Sequence, residues 1–253
     1  MNFDNMLIRC SALGNVTGAG RTIGLTDAMK KELLELQEKL KLTPKQEEKM
    51  NELIERSKCK AEFSLSEGAI SWVENEVEQA IYKFDEEINQ EQMEKGEIVE
   101  PKSIELYNHV FDKGFEKNTV FKKNDWIRGT ADIVGKNIIV DIKSSWSLLT
   151  FPKLPKYAKN YIYEMQVRGY MMRWEKGFGE IAHCMVDTPD HLIAHKFNLN
   201  LEIHKVRDIP KELLVTVVKL ERDLDIEEKI KEKVLECRRY ANFYANNILS
   251  KNR

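Results

Sequence analysis

Residues 126–134 and 137–143 are two runs rich in β-branched and aromatic side chains, and Gly135-Lys136-Asn137 at their junction supplies a tight turn. Together they predict a β-hairpin, and no other segment restricts the fold as much. Side chains on a strand alternate between its faces, so Asp141 and Lys143 point one way while Ile142 points into the core. A turn centred on Lys136-Asn137 sets a register that puts Asp132 directly opposite Asp141. Two carboxylates facing each other across a strand pair repel, and they cost stability unless a cation lies between them.

Hard oxygen donors of this kind suit Mg²⁺ or Mn²⁺ far better than zinc. A neighbouring lysine can orient a bound water or steady the charge of a phosphorane-like transition state. Asp-x-Lys on one strand with a second Asp beside it is therefore what metal-dependent phosphodiester hydrolysis needs. The same alternation also occurs on solvated edge strands. Two features favour a site: the other face of the hairpin is apolar, as for a central strand, and the next helix carries Gln166 and Tyr170 four residues apart on one face.

The remaining pattern predicts an α/β fold, a central mixed β-sheet flanked by helices with an N-terminal helical hairpin. After an irregular lead-in, Met29, Leu33, Leu36 and Leu40 draw a narrow apolar seam on a helix starting near Thr26. Thr43, Pro44 and Gln46 form a capping box for a second helix reaching Lys58. That pair, residues 26–58, reads as an arm, an insertion or an oligomer contact, with the seam packed either between copies or inside one. Ser66 opens a helix with Ile70, Val73, Val77, Ile81 and Phe84 on one stripe, followed by a turn at Lys95-Gly96 and a further helical turn with Glu100, Ile104 and Tyr107. A helix over 159–174, strands near 181–186 and 215–220, and a terminal helix over 225–247 complete the expectation.

With 253 residues, 42% hydrophobic and 32% charged, the chain needs neither disulfide nor structural metal to fold. Four scattered cysteines (Cys10, Cys59, Cys184, Cys237) lack metal-ligand spacing and read as plain thiols. No apolar run approaches a membrane span and no secretory leader is visible, so a cytoplasmic protein is expected. A net charge of −2 conceals an acidic stretch over 74–105 (11 acids, 3 bases) and a basic one over 229–253 (7 bases, 2 acids), both read mainly as solvated helix faces.

The series Gly129-Thr130-Ala131-Asp132, Asp141-Ile142-Lys143-Ser144-Ser145 and Gln166-Val167-Arg168-Gly169-Tyr170 resembles the G-x-x-D, (D/E)-x-K and Q-x-x-x-Y motifs of PD-(D/E)XK nucleases. Order and spacing resemble the RecB-like and lambda exonuclease branch. Trp146 and Phe151 after the second motif, Arg9–Gly14, and the stretch 94–100 resemble phage exonucleases of the YqaJ type. The resemblance runs from Met6 to about Tyr240 and departs mildly in having Asp141 where many members have Glu.

The resemblance implies a single nuclease domain over 1–253 with its catalytic core at 118–187. It implies that Asp132 and Asp141 ligate the metal with the Ile142 carbonyl, and that Lys143 positions the attacking water. Glu100 would complete the metal shell, with Glu97 its rival. Gln166 and Tyr170 would line the DNA channel, although ordinary helix packing also explains Tyr170. Ser11 with Arg9 or Arg21 would hold a terminal 5′ phosphate. Trp146 and Phe151 would stack on an unpaired base or else anchor their loop. The activity implied is a Mg²⁺- or Mn²⁺-dependent 5′→3′ exonuclease on double-stranded DNA ends. It would act in phage-type recombination in the bacterial host cytoplasm, beside a single-strand annealing protein, as a ring-shaped homo-oligomer such as a trimer. An endonuclease on the same core, or a nucleic-acid-binding protein with a vestigial site, are the alternatives.

Overall fold

A computed structural model describes residues 1–18, 27–39, 41–58, 63–84, 91–194 and 200–251. Its strands are β1 (Ile8–Arg9), β2 (Lys122–Lys123), β3 (Ile127–Gly129), β4 (Ile133–Val134), β5 (Ile138–Ser144), β6 (Phe178–Cys184) and β7 (Val215–Glu221). Its helices are α1 (Leu13–Val16), α2 (Asp27–Gln37), α3 (Pro44–Lys58), α4 (Glu67–Tyr82), α5 (Glu91–Phe111), α6 (Pro155–Ala158), α7 (Tyr161–Trp174) and α8 (Leu224–Ser250). The main sheet has the order β4-β5-β6-β7, with β5 and β6 parallel and the outer pairs antiparallel. It is the mixed, helix-flanked sheet the sequence predicts, and β5 is internal to it.

The hairpin forms, but its first strand does not run unbroken from Trp126 to Val134. β3 belongs to a separate three-stranded sheet of order β1-β3-β2, and β4 belongs to the main sheet. The chain changes sheets across residues 130–132, where Asn118 clasps it: its side-chain amide donates to the Ala131 carbonyl at 2.8 Å and its backbone N–H to the Asp132 carbonyl at 2.7 Å. The lead-in is likewise not irregular. β1 pairs in parallel with β3, and α1 packs on α7 with Gly14 at the contact, where a Cβ would lie 2.4 Å from the Ile162 Cα.

Two cores flank the main sheet. On one side, Ile139 and Ile181 meet Val167 and Met171 of α7 and, further out, Val73 and Val77 of α4 and Val234 of α8. The β5-to-β6 connection is the crossover that lays α7 against the sheet. Gly179 lets it come close, since a Cβ there would lie 2.5 Å from Val167 and Met171. On the other side, Val140 and Ile142 meet Val99, Ile104 and Tyr107 of α5. In the helical hairpin, Leu36 and Leu53 are buried where α2 meets α3, so that part of the seam packs within one copy. Leu40 and Thr26 lie outside the described residues. Thr43 N–H donates to Gln46 Oε1 at 3.0 Å, the expected capping contact. The Ser66 hydroxyl caps α4, but Phe84 lies beyond its end and is exposed.

The acidic stretch is less solvated than its composition suggests. Glu74 and Glu78 accept hydrogen bonds of 2.6 Å from Tyr240 and Tyr244 of α8, and Glu76 pairs with Arg9. No turn interrupts residues 95–96: α5 runs through Gly96 and Pro101 as one helix of 21 residues. Continuity there turns Lys95 inward, and its side chain is 0% exposed. The ammonium donates to the carbonyls of Ser145 (2.6 Å), Trp146 (3.1 Å) and Val186 (3.1 Å) and to the Thr188 hydroxyl (2.9 Å). One buried cation thus ties α5 to the segments that leave β5 and β6. Among the described residues no helix is long and apolar enough to cross a membrane, and Cys10, Cys184 and Cys237 are free buried thiols.

Lys95→Ala should leave those acceptors without a donor and lower stability by about 3 kcal/mol, a drop in melting temperature of roughly 6–12 °C. Thermal and urea denaturation read this directly. An unchanged midpoint would show that water replaces the ammonium at no cost.

Candidate active site

Asp132 emerges where the chain has just entered the main sheet. The ladder pairs Ile133 with Val140 and Val134 with Ile139, so the next step sets Asp132 against Asp141. In that step the Asp132 side chain replaces the missing backbone partner, accepting the Ile142 N–H through Oδ2 at 2.7 Å. Asp141 is 0% exposed, on the α7 face of β5, and neither of its oxygens has an aligned hydrogen-bond partner. Its neighbour is a cation: Lys143 Nζ lies 2.9 Å from Asp141 Oδ2.

Helix α7 holds that ammonium from the other side. Lys143 Nζ donates to Gln166 Oε1 at 3.1 Å, and Gln166 Nε2 donates to the Tyr170 hydroxyl at 3.1 Å. The Tyr163 ring lies 4.7 Å from the same ammonium, a cation–π contact. Tyr163, Gln166 and Tyr170 occur at steps of three and four, which places all three on one helix face. Tyr163 was therefore open to the periodicity that exposes the other two. His183 pairs in register with Lys143 on β6; its Nε2 lies 3.2 Å from the Ala158 carbonyl, and burial pushes its pKa down.

Burial and mutual repulsion dominate the electrostatics. Burial first, then the charge of Asp141, pushes the Asp132 carboxyl up to about 7, against the opposing Ile142 N–H and Lys143. Asp141 is also raised, chiefly by burial, with Lys143 pulling the other way. Burial alone would lower the Lys143 pKa, but the facing Asp141 and then Asp132 outweigh it and the net shift is upward. The lysine is held as an ammonium.

These oxygens fit a hard divalent cation. Both Asp141 oxygens are buried without an aligned hydrogen-bond donor, Oδ2 facing the Lys143 ammonium at 2.9 Å, Asp132 stands opposite with one oxygen outside its hydrogen bond to Ile142, and the Ile142 carbonyl lies in the same strand. Buried, unpaired carboxylate oxygens are costly, and a bound cation relieves that cost. Glu100 approaches without joining them. Its charge raises both aspartates, yet its Oε2 is held by Lys117 at 2.7 Å while its Oε1 is buried and unpartnered. Among the described residues no three His, Cys, Asp or Glu side chains form a ready metal cluster. Glu97, the rival, is exposed one turn away.

The other predicted residues fall into two clefts on either side of this centre. Arg9, Ser11 and Tyr170 share a cleft of about 320 Å³ with Arg128 and Thr130, which the sequence pattern does not announce. Glu76 neutralises part of its charge, 2.8 Å from Arg9 and 3.9 Å from Arg128. Arg21 lies outside the described residues. The second cleft contains Lys143 and Trp146. The Trp146 ring meets His204 edge-on at 5.4 Å between centroids, whereas Phe151 is buried in the second core and serves as a loop anchor. Tyr170 packs in the core as ordinary helix packing expects, contacting Gly129 and Trp174, and its hydroxyl accepts from Gln166.

No family model matches the chain, and no curated protein matches it significantly. Solved structures do. A phage-related exonuclease from Haemophilus somnus 129PT has a TM-score of 0.74 at 23% identity, over 98% of this chain and 97% of that one. The alkaline exonuclease LHK-Exo from Laribacter hongkongensis has a TM-score of 0.53 at 13% identity, over 74% of this chain and 86% of that one. In its complex with dAMP the same enzyme gives 0.55 at 12% identity, over 97% and 92%. At these identities the likeness establishes the fold: this chain has the architecture of those exonucleases.

Raised carboxyls fix the sign of a pH effect in protein stripped of metal. The folded state holds its carboxyl protons more tightly than the unfolded chain does. The resulting stabilisation is therefore complete below about pH 4 and is lost as pH rises through about 7. Asp132→Asn removes one of the two charges while its carbonyl can still accept from Ile142. In EDTA at pH 8 it should be more stable than the parent by on the order of 2 kcal/mol. Added Mg²⁺ or Mn²⁺ should raise the melting temperature of the parent and not that of the variant. Equal melting temperatures in EDTA would contradict the proposed carboxylate crowding.

Proposed function

We propose that this protein is a Mg²⁺- or Mn²⁺-dependent deoxyribonuclease that hydrolyses phosphodiester bonds as a 5′→3′ exonuclease on double-stranded DNA ends. The observation carrying this reading is the meeting of Asp132, Asp141 and Lys143 at one point, with Asp141 Oδ1 buried and without a donor. The shared architecture with exonucleases supports it.

Asp132, Asp141 and the Ile142 carbonyl would hold the cation, with Glu100 drawn in from its Lys117 contact. When bound, a divalent cation supplies positive charge to the phosphate and lowers the cost of ionising water. Lys143 acts as a donor rather than a base, because the facing aspartates keep its proton in place. Its N–H groups orient the attacking water and steady charge on the phosphoryl oxygens. An O–H bond of the water breaks as its oxygen bonds to phosphorus, with the proton passing to solvent; the P–O3′ bond breaks, and the leaving 3′ oxygen takes up a proton from solvent water. Gln166 fixes the direction of the ammonium, and Tyr170 fixes Gln166.

Arg9, Ser11 and Arg128 suit the terminal 5′ phosphate, since guanidinium groups bind phosphate in a bidentate fork. A phosphate there would displace Glu76 from the two arginines. Trp146 borders the opposite cleft and is suited to stack on a base. Motif likeness to phage recombination exonucleases supports a role beside a single-strand annealing protein and a homo-oligomeric ring that encloses the duplex.

Digestion of a linear duplex beside its closed circular form tests the whole reading. Linear DNA alone should be degraded, only with Mg²⁺ or Mn²⁺, and faster when its ends carry 5′ phosphates. Asp132→Asn and Lys143→Ala should each reduce the rate by a factor of about 10³ or more, roughly 4 kcal/mol of lost transition-state stabilisation, with circular dichroism unchanged. Nicking of the circle would indicate an endonuclease, and full activity in both variants would mean the site lies elsewhere. Arg128→Ala should abolish the preference for 5′-phosphorylated ends.

A further inference from the structure

The cleft that contains Lys143 has a rim whose composition differs from the rest of the chain. Residues 149–163 hold three lysines (Lys153, Lys156, Lys159), three tyrosines (Tyr157, Tyr161, Tyr163) and no acid, in a protein whose 42 acids outnumber its 40 lysines and arginines. Two prolines and the short α6 fold this segment around a cleft of about 380 Å³. Tyr157 stands on the rim, 68% exposed, with the Lys156 ammonium 4.7 Å from its ring centroid. Lys159 is exposed beside it, and Trp146 lines the same cleft.

An aromatic ring interleaved with lysines fits a polyanion that also presents flat faces, namely an unpaired nucleic-acid strand. Duplex DNA presents phosphate to such a surface but no free base. The position agrees with this. On α7, Tyr163 faces the tyrosine–lysine cleft, Tyr170 faces the arginine cleft, and Gln166, which holds Lys143, lies between them. Seven residues of helix separate the two clefts by about 10 Å. The arginine side presents guanidinium groups and hydroxyls without a stacking platform beyond Phe121. The opposite side has rings and amines, with Trp146, Tyr157 and Tyr163 beside Lys143 and Lys159.

We infer that Tyr157, with Lys156 and Lys159, forms a seat for unpaired nucleotides of a DNA strand next to the hydrolytic centre, on the side opposite the arginine cleft. The inference rests on the reading of Asp132, Asp141 and Lys143 as a DNA-cutting centre. It adds that the strand is engaged there in single-stranded form, by stacking and lysine contacts.

Fluorescence anisotropy tests this in EDTA, where no cleavage occurs, with labelled oligothymidine and a labelled blunt duplex as probes. Tyr157→Ala should weaken oligothymidine binding about tenfold, the loss of one base stack, and Tyr157→Phe should restore it. Lys156→Ala with Lys159→Ala should reduce the salt slope of oligothymidine binding by about 0.7 for each lysine removed. Unchanged oligothymidine affinity in Tyr157→Ala would overturn the seat. So would equal losses on the blunt duplex, which would mean that the rim is a general phosphate contact. Reduced binding of an annealing protein, with oligothymidine affinity intact, would also overturn it and assign the rim to a protein partner. Duplex digestion by the parent enzyme is measured separately, so loss of the seat is distinguished from failure of the nuclease reading.

Discussion

Two aspartates that resist being ionised together are the constraint around which the molecule is arranged. Asp141 is enclosed on an internal strand without an aligned donor, and Asp132 is pushed against it by a chain that has just changed sheets. Left to themselves they would separate or stay protonated. Three features keep them together: the Asn118 clasp on residues 131–132, the Ile142 N–H that grips Asp132, and the Lys143 ammonium beside Asp141. The first two act on geometry, and the ammonium offsets part of the negative charge without outweighing the burial that raises both carboxyls. A cation bound between the two carboxylates would relieve that crowding.

The sheet break explains why a short β4 serves the site better than a long one. A continuous strand through residues 126–134 would satisfy the Ile142 N–H from backbone, leaving Asp132 free to turn to solvent. Ending the ladder at Ile133 makes the carboxylate the substitute acceptor, which sets its distance and direction at once. Gly179 has a comparable role at longer range. By letting α7 approach the sheet it brings Gln166 within 3.1 Å of Lys143, and a side chain there would have moved that helix outward.

The elements legible in the sequence are those governed by local periodicity. Alternation along residues 137–143 and the turn at Lys136-Asn137 were enough to set Asp132 against Asp141, because antiparallel register follows from the turn. The Gln166–Tyr170 face of α7 was equally readable. What stayed hidden depends on contacts distant in sequence. Lys95 reads as one more charge beside a glycine, and only the return of residues 145–146 and 186–188 makes it a buried cross-link. Glu74 and Glu78 read as solvated until α8 supplies Tyr240 and Tyr244, 166 residues away. The parallel pairing of β1 with β3 has no local signal at all, since two-residue strands carry no period.

Helix α7 gives the site its direction. Its inner face presents Tyr163, Gln166 and Tyr170 in turn, so Lys143 sits between a cleft with arginines and one with rings and amines. A symmetric centre could accept a strand running either way. Here the two ends differ in what they can bind: guanidinium forks prefer a terminal dianionic phosphate, and an exposed ring with amines prefers an unpaired base on its backbone. Under the proposed function, polarity of cleavage would follow from the chemistry on each side of Lys143 and not from the carboxylates, which are indifferent to strand direction. Glu76 strengthens the asymmetry, because it pairs with Arg9 and Arg128, and a terminal phosphate bound there would have to displace it.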